Sequence, residues 1–231
     1  MALPTIESVR EVKAELDRDG FAIVEDFASA SVIEDLKAAI SGLGDRAGAR
    51  QLHQTVPAVR EFLQSELLLE WMELLAAGAF PVRTMFFDKT PTANWKVAWH
   101  QDLTICVQER HQVPGFGAWS VKEGVVHTQP PVEVLERMVT VRLHLDDCGM
   151  ENGPLRVIPG SHRSGRLSVE QIKSWRQQRE PLDCLVRRGG LVLMKPLILH
   201  SSSGAIKPAH RRVLHIEFAT EPLPAPLKWT A

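Results

Sequence analysis

From Phe80 onward the chain is a series of short β-rich runs cut apart by Gly, Pro, Asn and Asp: "PVRTMFFDK", "WKVAWHQDLTI", "VTVRLHLDD", "LRVIPG", "GLVLMKPLILH" and "RRVLHIEFAT". Runs of this length and composition read as strands. Several of them at loose spacing assemble as a β-sandwich or barrel. One helix, "SVEQIKSWRQQ" with its serine cap, interrupts the series. The chain before Phe80 has the opposite character. "TIESVREVKAELDRDG" places Ile6, Val9, Val12 and Leu16 at helical spacing and stops at Gly20. "FAIVEDF" is a short strand, "SASVIEDLKAAISGLG" a second serine-capped helix, and "TVPAVREFLQSELLLEWMELLAAG" one or two buried helices beginning near Pro57. The expected fold class is mainly β with α, a helical part over about 1–79 packed against strands over about 80–220. Residues 104–138 lack strong periodicity and are expected to form a long functional loop, a lid-like insertion carrying His111, Phe116, Trp119 and His127.

The 231 residues, 44% of them hydrophobic, are enough for one large domain, and residues 1–231 are expected to form a single one. A net charge of −1 gives no electrostatic case for nucleic acid or an anionic membrane, and Arg187-Arg188 and Arg211-Arg212 are too short for a binding tract. No apolar run reaches the roughly 18 residues that a membrane span needs. The opening "MALPTIESVREVKAELDRDG" lacks the regions of a signal peptide, so a cytoplasmic protein is expected. Cys106, Cys148 and Cys184 are odd in number and form no C-x-x-C pair, which suits reduced thiols. With no tyrosine in the sequence, no tyrosyl contact can be invoked.

Within "AWHQDLT", His100 and Asp102 stand one residue apart on an extended run, so both side chains project to one face and Gln101 to the other. "GLVLMKPLILHSSSG" brings a third donor, His200, at the end of an apolar strand. Two histidines and one carboxylate make the facial triad that leaves positions open on Fe(II), and open positions are what dioxygen chemistry requires. Eleven residues beyond His200, Arg211 offers the planar fork suited to a carboxylate, with the Ser202 hydroxyl nearby. The same three ligands could hold zinc or manganese in a hydrolase or isomerase, and a jelly-roll barrel could be a non-catalytic binding module. The arginine speaks against the first alternative and the intact triad against the second.

"WHQD", "LHLDDCGMENGPLRVIPGSHRSGRL" and "HSSSGAIKPAHRRVLHIEFA" resemble the phytanoyl-CoA dioxygenase family of Fe(II)/2-oxoglutarate-dependent oxygenases, from about Gly20 to Ala219. The resemblance implies a double-stranded β-helix, a jelly-roll or cupin-like barrel buttressed by helices. It implies iron ligands His100, Asp102 and His200. It implies that Arg211 with Ser202 holds the distal carboxylate of the cosubstrate 2-oxoglutarate, that O2 is consumed, and that succinate and CO2 are released as an unactivated C–H bond of a small organic molecule is hydroxylated. In related halogenases the carboxylate is missing; Asp102 therefore argues for hydroxylation, though not against desaturation or ring formation.

In "VTVRLHLDD", Thr140, Arg142, His144 and Asp146 share one face, and a polar face on such a strand makes sense if it looks into the barrel. The Arg211 strand places Val213, His215 and Glu217 alongside Arg211. Arg142, His144 and His215 are thus expected to line the pocket, with Arg142 meeting an anionic group of cosubstrate or substrate. Trp99, Lys89 and the lid residue Trp119 are further substrate-contact candidates. "ENGP" and "IPGSH" read as turns, with His162 a turn residue. His53, His111, His127 and His210 read as surface positions, His111 and His127 being able to reach substrate from the lid.

Overall fold

The structure, a computed structural model, describes residues 5–44 and 46–230; the first four residues of the stretch read for a targeting signal lie outside it. Five helices and two strands occupy the first third: α1 (Ile6–Asp19), β1 (Phe21–Val24), α2 (Ala30–Ile40), β2 (Gly48–Arg50), α3 (Leu52–Thr55), α4 (Pro57–Leu63) and α5 (Glu66–Leu75). The caps are those the sequence specifies. Thr5 Oγ1 and Ser29 Oγ accept from the amides of Ser8 and Val32, Gly20 ends α1 in the left-handed region, and Pro57 opens α4.

The remainder is β3 (Phe80–Lys89), β4 (Val97–His100), β5 (Ile105–Val107), β6 (Gly117–Lys122), β7 (Val125–Gln129), α6 (Val132–Glu136), β8 (Val139–His144), β9 (Leu155–Ile158), α7 (Val169–Gln178), β10 (Leu182–Cys184), β11 (Leu191–Met194), β12 (Leu199–Ser202) and β13 (Arg211–Ala219). Two antiparallel sheets face each other, a six-stranded one in the order β1-β11-β8-β13-β3-β2 and a four-stranded one in the order β10-β9-β12-β4. The chain crosses between them from β3 to β4, β8 to β9, β10 to β11, β11 to β12 and β12 to β13, which is the jelly-roll pattern. The run "GLVLMKPLILH", read as one strand, is therefore two, split at Pro196 and serving different sheets.

Alternation along the strands assigns the faces. Val141, Leu143, Leu191, Leu193, Leu214, Ile216 and Phe218 point outward from the large sheet and bury against α1 through α5. On the far side, Ile158 and Leu199 of the small sheet meet Leu167 and the α7 residues Ile172 and Trp175. Between the sheets Leu155, Val157, Val192, Met194 and Ile198 form a dry interior floor. Above it lies the polar row created by register: Arg142 opposite His215 opposite Met85, and Thr140 opposite Glu217 opposite Arg83.

Residues 104–138, expected as a long loop, hold regular structure. They form a third antiparallel sheet, β5-β7-β6, followed by α6. This sheet has its own core, in which Ile105, Val107, Leu135 and Met138 bury with Val82, Leu197, Leu227 and Trp229. Among the described residues no helix is long and apolar enough to cross a membrane.

Candidate metal centre

His100 and His200 lie directly opposite each other on β4 and β12, which brings their rings together, tilted by 53° with centroids 4.2 Å apart. Each imidazole is locked by its own backbone. His100 Nδ1 donates to Ala98 O at 2.8 Å and His200 Nδ1 to Ile198 O at 2.9 Å. Both hydrogens are thereby placed on Nδ1, and both Nε2 lone pairs are left bare. Asp102 sits just past β4, its amide bonded to Pro196 O at 2.9 Å. Gln101 turns to the opposite face, where its side chain bridges Gly165 O, Leu197 O and the Leu167 amide and fixes the backbone between the two ligands.

The Asp102 carboxylate oxygens stand 3.7 Å from each Nε2, beyond hydrogen-bond reach, and the three donor atoms all fall within 4.8 Å of one another. Burial pushes the His200 imidazole down to about 4, so it is neutral and available as a donor at ordinary pH. Burial works against charge on Asp102 as well, but His200, His215, His100 and Arg83 outweigh it and hold its carboxyl below the usual range. Two neutral imidazole lone pairs and one anionic oxygen form a donor set that fits a divalent cation.

The same cavity, about 190 Å³, is also lined by Arg142, Ser202, Arg211 and His215. Arg211 Nη1 donates to Gly153 O and, at 3.3 Å, to Ser202 Oγ. Lys89 Nζ donates to Ser202 Oγ at 2.8 Å and to Ser203 O, and Ser202 in turn donates to Gly153 O at 2.9 Å. No carboxylate faces this guanidinium, and its Nε is buried without an acceptor among the described residues. Arg142 is in the same state: Nη1 donates to His215 Nδ1 at 2.8 Å, while Nε is buried and unpartnered. The contact with Arg142 fixes the His215 hydrogen on Nε2, which faces Glu217 Oε1 at 3.4 Å, and Glu217 pairs with Arg83 at 3.0 Å. Burial and the neighbouring Arg211 push Arg142 down to about 10, and burial with Arg211 pushes Lys89 down to about 8. Two buried guanidiniums whose Nε donors have no acceptor among the described residues, with the Lys89 ammonium behind them, mark a site built to receive an anion.

Of the residues expected from sequence, the structure brings His100, Asp102, His200, Ser202, Arg211, Arg142 and His215 together on one cavity. Lys89 braces Ser202 from behind and does not line the cavity wall. His144 faces the interior beside Arg142 and Arg211 but also lies off that wall; burial and the two guanidiniums push it down to about 3. Trp99 is on the wrong face. Because neighbours along a strand alternate, it packs outward against Ile158, Leu199 and α7, under Arg156 and Arg176. Trp119 packs on the core of the third sheet beside Arg110, away from the cavity. His127, expected at the surface, is fully buried and accepts from Cys106 Sγ at 3.3 Å, while His111 lies beside Gln108 and Lys228, remote from the triad.

Sequence reading missed Met85, Phe87 and Trp95, which line the cavity, because the first two look like ordinary strand apolars and the third sits in a loop. It also missed the role of the "ENGP" turn. Gly153, at φ +64°, presents one carbonyl to Arg211, Ser202 and Lys89 together, and a Cβ there would stand 2.3 Å from Ser203 O.

A sequence model of the phytanoyl-CoA dioxygenase (PhyH) family matches residues 16–213. No curated protein matches the chain in sequence. Among solved structures, EctD from S. alaskensis in its apoform superposes with a TM-score of 0.74 at 20% identity, over 98% of this chain and 82% of that one. SnoK, a non-heme alpha ketoglutarate dependent carbocyclase from nogalamycin biosynthesis, gives 0.72 at 15% identity over 95% and 87%. AviO1 from Streptomyces viridochromogenes Tue57 gives 0.68 at 23% identity over 96% and 100%. At such identities the likeness is one of fold.

Proposed function

Because the chain belongs to the phytanoyl-CoA dioxygenase family, we propose that it is a non-haem iron(II) oxygenase that uses 2-oxoglutarate and O2 to oxidise a small organic substrate. One observation carries the reading: a two-histidine, one-carboxylate donor set opens onto the same cavity as buried arginines that have no anionic partner among the described residues. His100, Asp102 and His200 would hold the iron, and EctD and SnoN, which share this fold, have been crystallised with iron and with the keto acid. Iron(II) so held, with the keto acid and O2, supplies the oxidising power to convert an unactivated C–H bond to C–OH, releasing succinate and CO2.

The protein's own part is to bind, orient and exclude. The Nδ1–H bonds to Ala98 O and Ile198 O keep both Nε2 atoms aimed at the metal position throughout turnover. Arg211 grips the distal carboxylate of 2-oxoglutarate. Ser202 accepts from Lys89 and Arg211, so its own hydrogen can swing from Gly153 O to that carboxylate. Arg142, braced by His215, Glu217 and Arg83, takes the carboxylate at the keto end. Residues 1–231 act as one oxygenase domain. SnoK and SnoN are a carbocyclase and an epimerase, so the same framework serves outcomes other than hydroxylation in those proteins.

The test is stoichiometric. Protein loaded with iron(II) and given 2-oxoglutarate in air releases succinate, and His200→Ala loses both bound iron and succinate release. Iron binding without 2-oxoglutarate-dependent succinate release, or hydrolytic activity restored by zinc, would overturn the reading.

A further inference from the structure

Beside the metal cavity lies a second one of about 350 Å³, to which the chemistry above gives no role. The two share Met85, Phe87 and Trp95 as a common wall, and the outer one reaches solvent at Gly48 and Glu123. Its wall is apolar and aromatic apart from one ion pair, between Arg50, the last residue of β2, and Glu123. Arg50 Nη1 donates to Met85 Sδ at 3.5 Å, and Nε pairs with Glu123 Oε1 at 3.2 Å. Glu123 comes from the third sheet, at the tip of the β6–β7 hairpin.

That glutamate is an odd choice for its position. The turn has φ +52° at Glu123 and +80° at Gly124, the pair of positive angles a two-residue hairpin turn of this kind demands. Asn, Asp or Gly would occupy the first of these positions at little cost, whereas a glutamate backbone is strained there. Strain retained at one residue suggests that its side chain is wanted. The Glu123 side chain is 68% exposed, so the ion pair with Arg50 is weak and readily exchanged for another carboxylate.

We propose that the outer cavity is the substrate chamber, that it takes a molecule with an apolar or aromatic body and one carboxylate, and that Glu123 holds the carboxylate's place on Arg50 until that molecule arrives. The body lies along Phe87, Trp95 and Met85, which directs its other end into the metal cavity, as pockets of this size and lining direct small ligands. Arg50 reads the charge, and the shared wall sets how far the reacting carbon reaches. The proposal rests on the oxygenase reading for what happens at that carbon.

The experiment uses the complex with iron(II) and 2-oxoglutarate under nitrogen, titrated calorimetrically with 3-phenylpropanoate, 3-phenylpropanamide and 3-phenylpropylamine. The acid is expected to bind about tenfold or more tightly than the amide. Arg50→Gln erases that difference, and Glu123→Gln, which removes the internal competitor, tightens the acid several-fold. The double exchange R50E/E123R keeps an ion pair in place and turns the preference to the amine. Equal binding of acid and amide by the parent protein, no binding of either, preference for the amine, an acid preference that survives Arg50→Gln, or weaker acid binding in Glu123→Gln would each overturn the proposal. The affinity for 2-oxoglutarate is measured first: its absence would sink the oxygenase reading, whereas normal 2-oxoglutarate binding with no acid preference sinks the chamber alone.

Discussion

His100 and His200 owe their readiness for a metal to carbonyls two residues upstream, and Arg211 and Arg142 owe their readiness for an anion to having no carboxylate partner among the described residues. The arginines make a prediction that needs no iron. In metal-free protein, 2-oxoglutarate binds about tenfold tighter than 4-oxopentanoate, which lacks the carboxylate next to the keto group, and Arg142→Gln removes the advantage. A calorimetric ratio unchanged by that variant would mean that Arg142 serves another ligand. Gly153→Ala places a methyl group against Ser203 O at a left-handed φ and costs about 1–3 kcal/mol in urea unfolding, with weakened 2-oxoglutarate binding because the backbone shift that relieves the clash moves the carbonyl that Arg211 and Ser202 share. Away from the site, Asp146 receives Arg212 through Nε at 2.8 Å, Nη2 at 2.7 Å and the amide at 3.0 Å. Burial opposes its charge, but these bonds prevail and hold its pKa below the ordinary value. Its folded pKa being depressed, its contribution is complete above the unfolded value near 4 and fades as pH falls further. Asp146→Asn should therefore lose about 1–3 kcal/mol at pH 7, and less with each step below pH 4. A deficit independent of pH would contradict this. At this scale the triad and Arg211 were legible because side-chain chemistry and spacing are written in the sequence; the Gly153 carbonyl was not, because every residue has one.

The element that organises the site is the row of three strands, β3, β13 and β8, whose inward positions set Arg83 beside Glu217, Met85 beside His215 with Arg142 on its other side, Phe87 beside Val213, and Lys89 beside Arg211. Period-two alternation made most of this row readable in advance. The same rule excludes Trp99, which adjacency to His100 had suggested. Trp99→Ala should cost about 2–3 kcal/mol by emptying the contact with α7, while 2-oxoglutarate affinity stays within about twofold. A large loss of affinity with little loss of stability would put the indole back on the cavity side. The third sheet escaped sequence reading for a specific reason. Its hairpin turns on Glu-Gly rather than Asn-Gly or Asp-Gly, and the register shifts between Gly117 and Ser120, so neither the turn signal nor the alternation was clean.

At the scale of the whole molecule, helices α1 through α5 hold the large sheet with its arginines from one side and α7 backs the small sheet with its two histidines from the other, so the cavity between them is set by packed elements. The cationic cavity between the sheets is a place where ligand binding returns stability. Saturation with 2-oxoglutarate at about 100 times its dissociation constant should add about 2.7 kcal/mol, roughly 5–10 °C in Tm for a chain of this size, and Arg211→Ala should lose most of that shift. The most direct measurement is an anaerobic titration of the metal-free protein, first with iron(II) and then with 2-oxoglutarate, followed by visible absorption. The account predicts a charge-transfer band that appears only when both are present, vanishes in His200→Ala, and needs far more 2-oxoglutarate in Arg211→Ala. Iron bound at the triad with no band and no response to 2-oxoglutarate would contradict it.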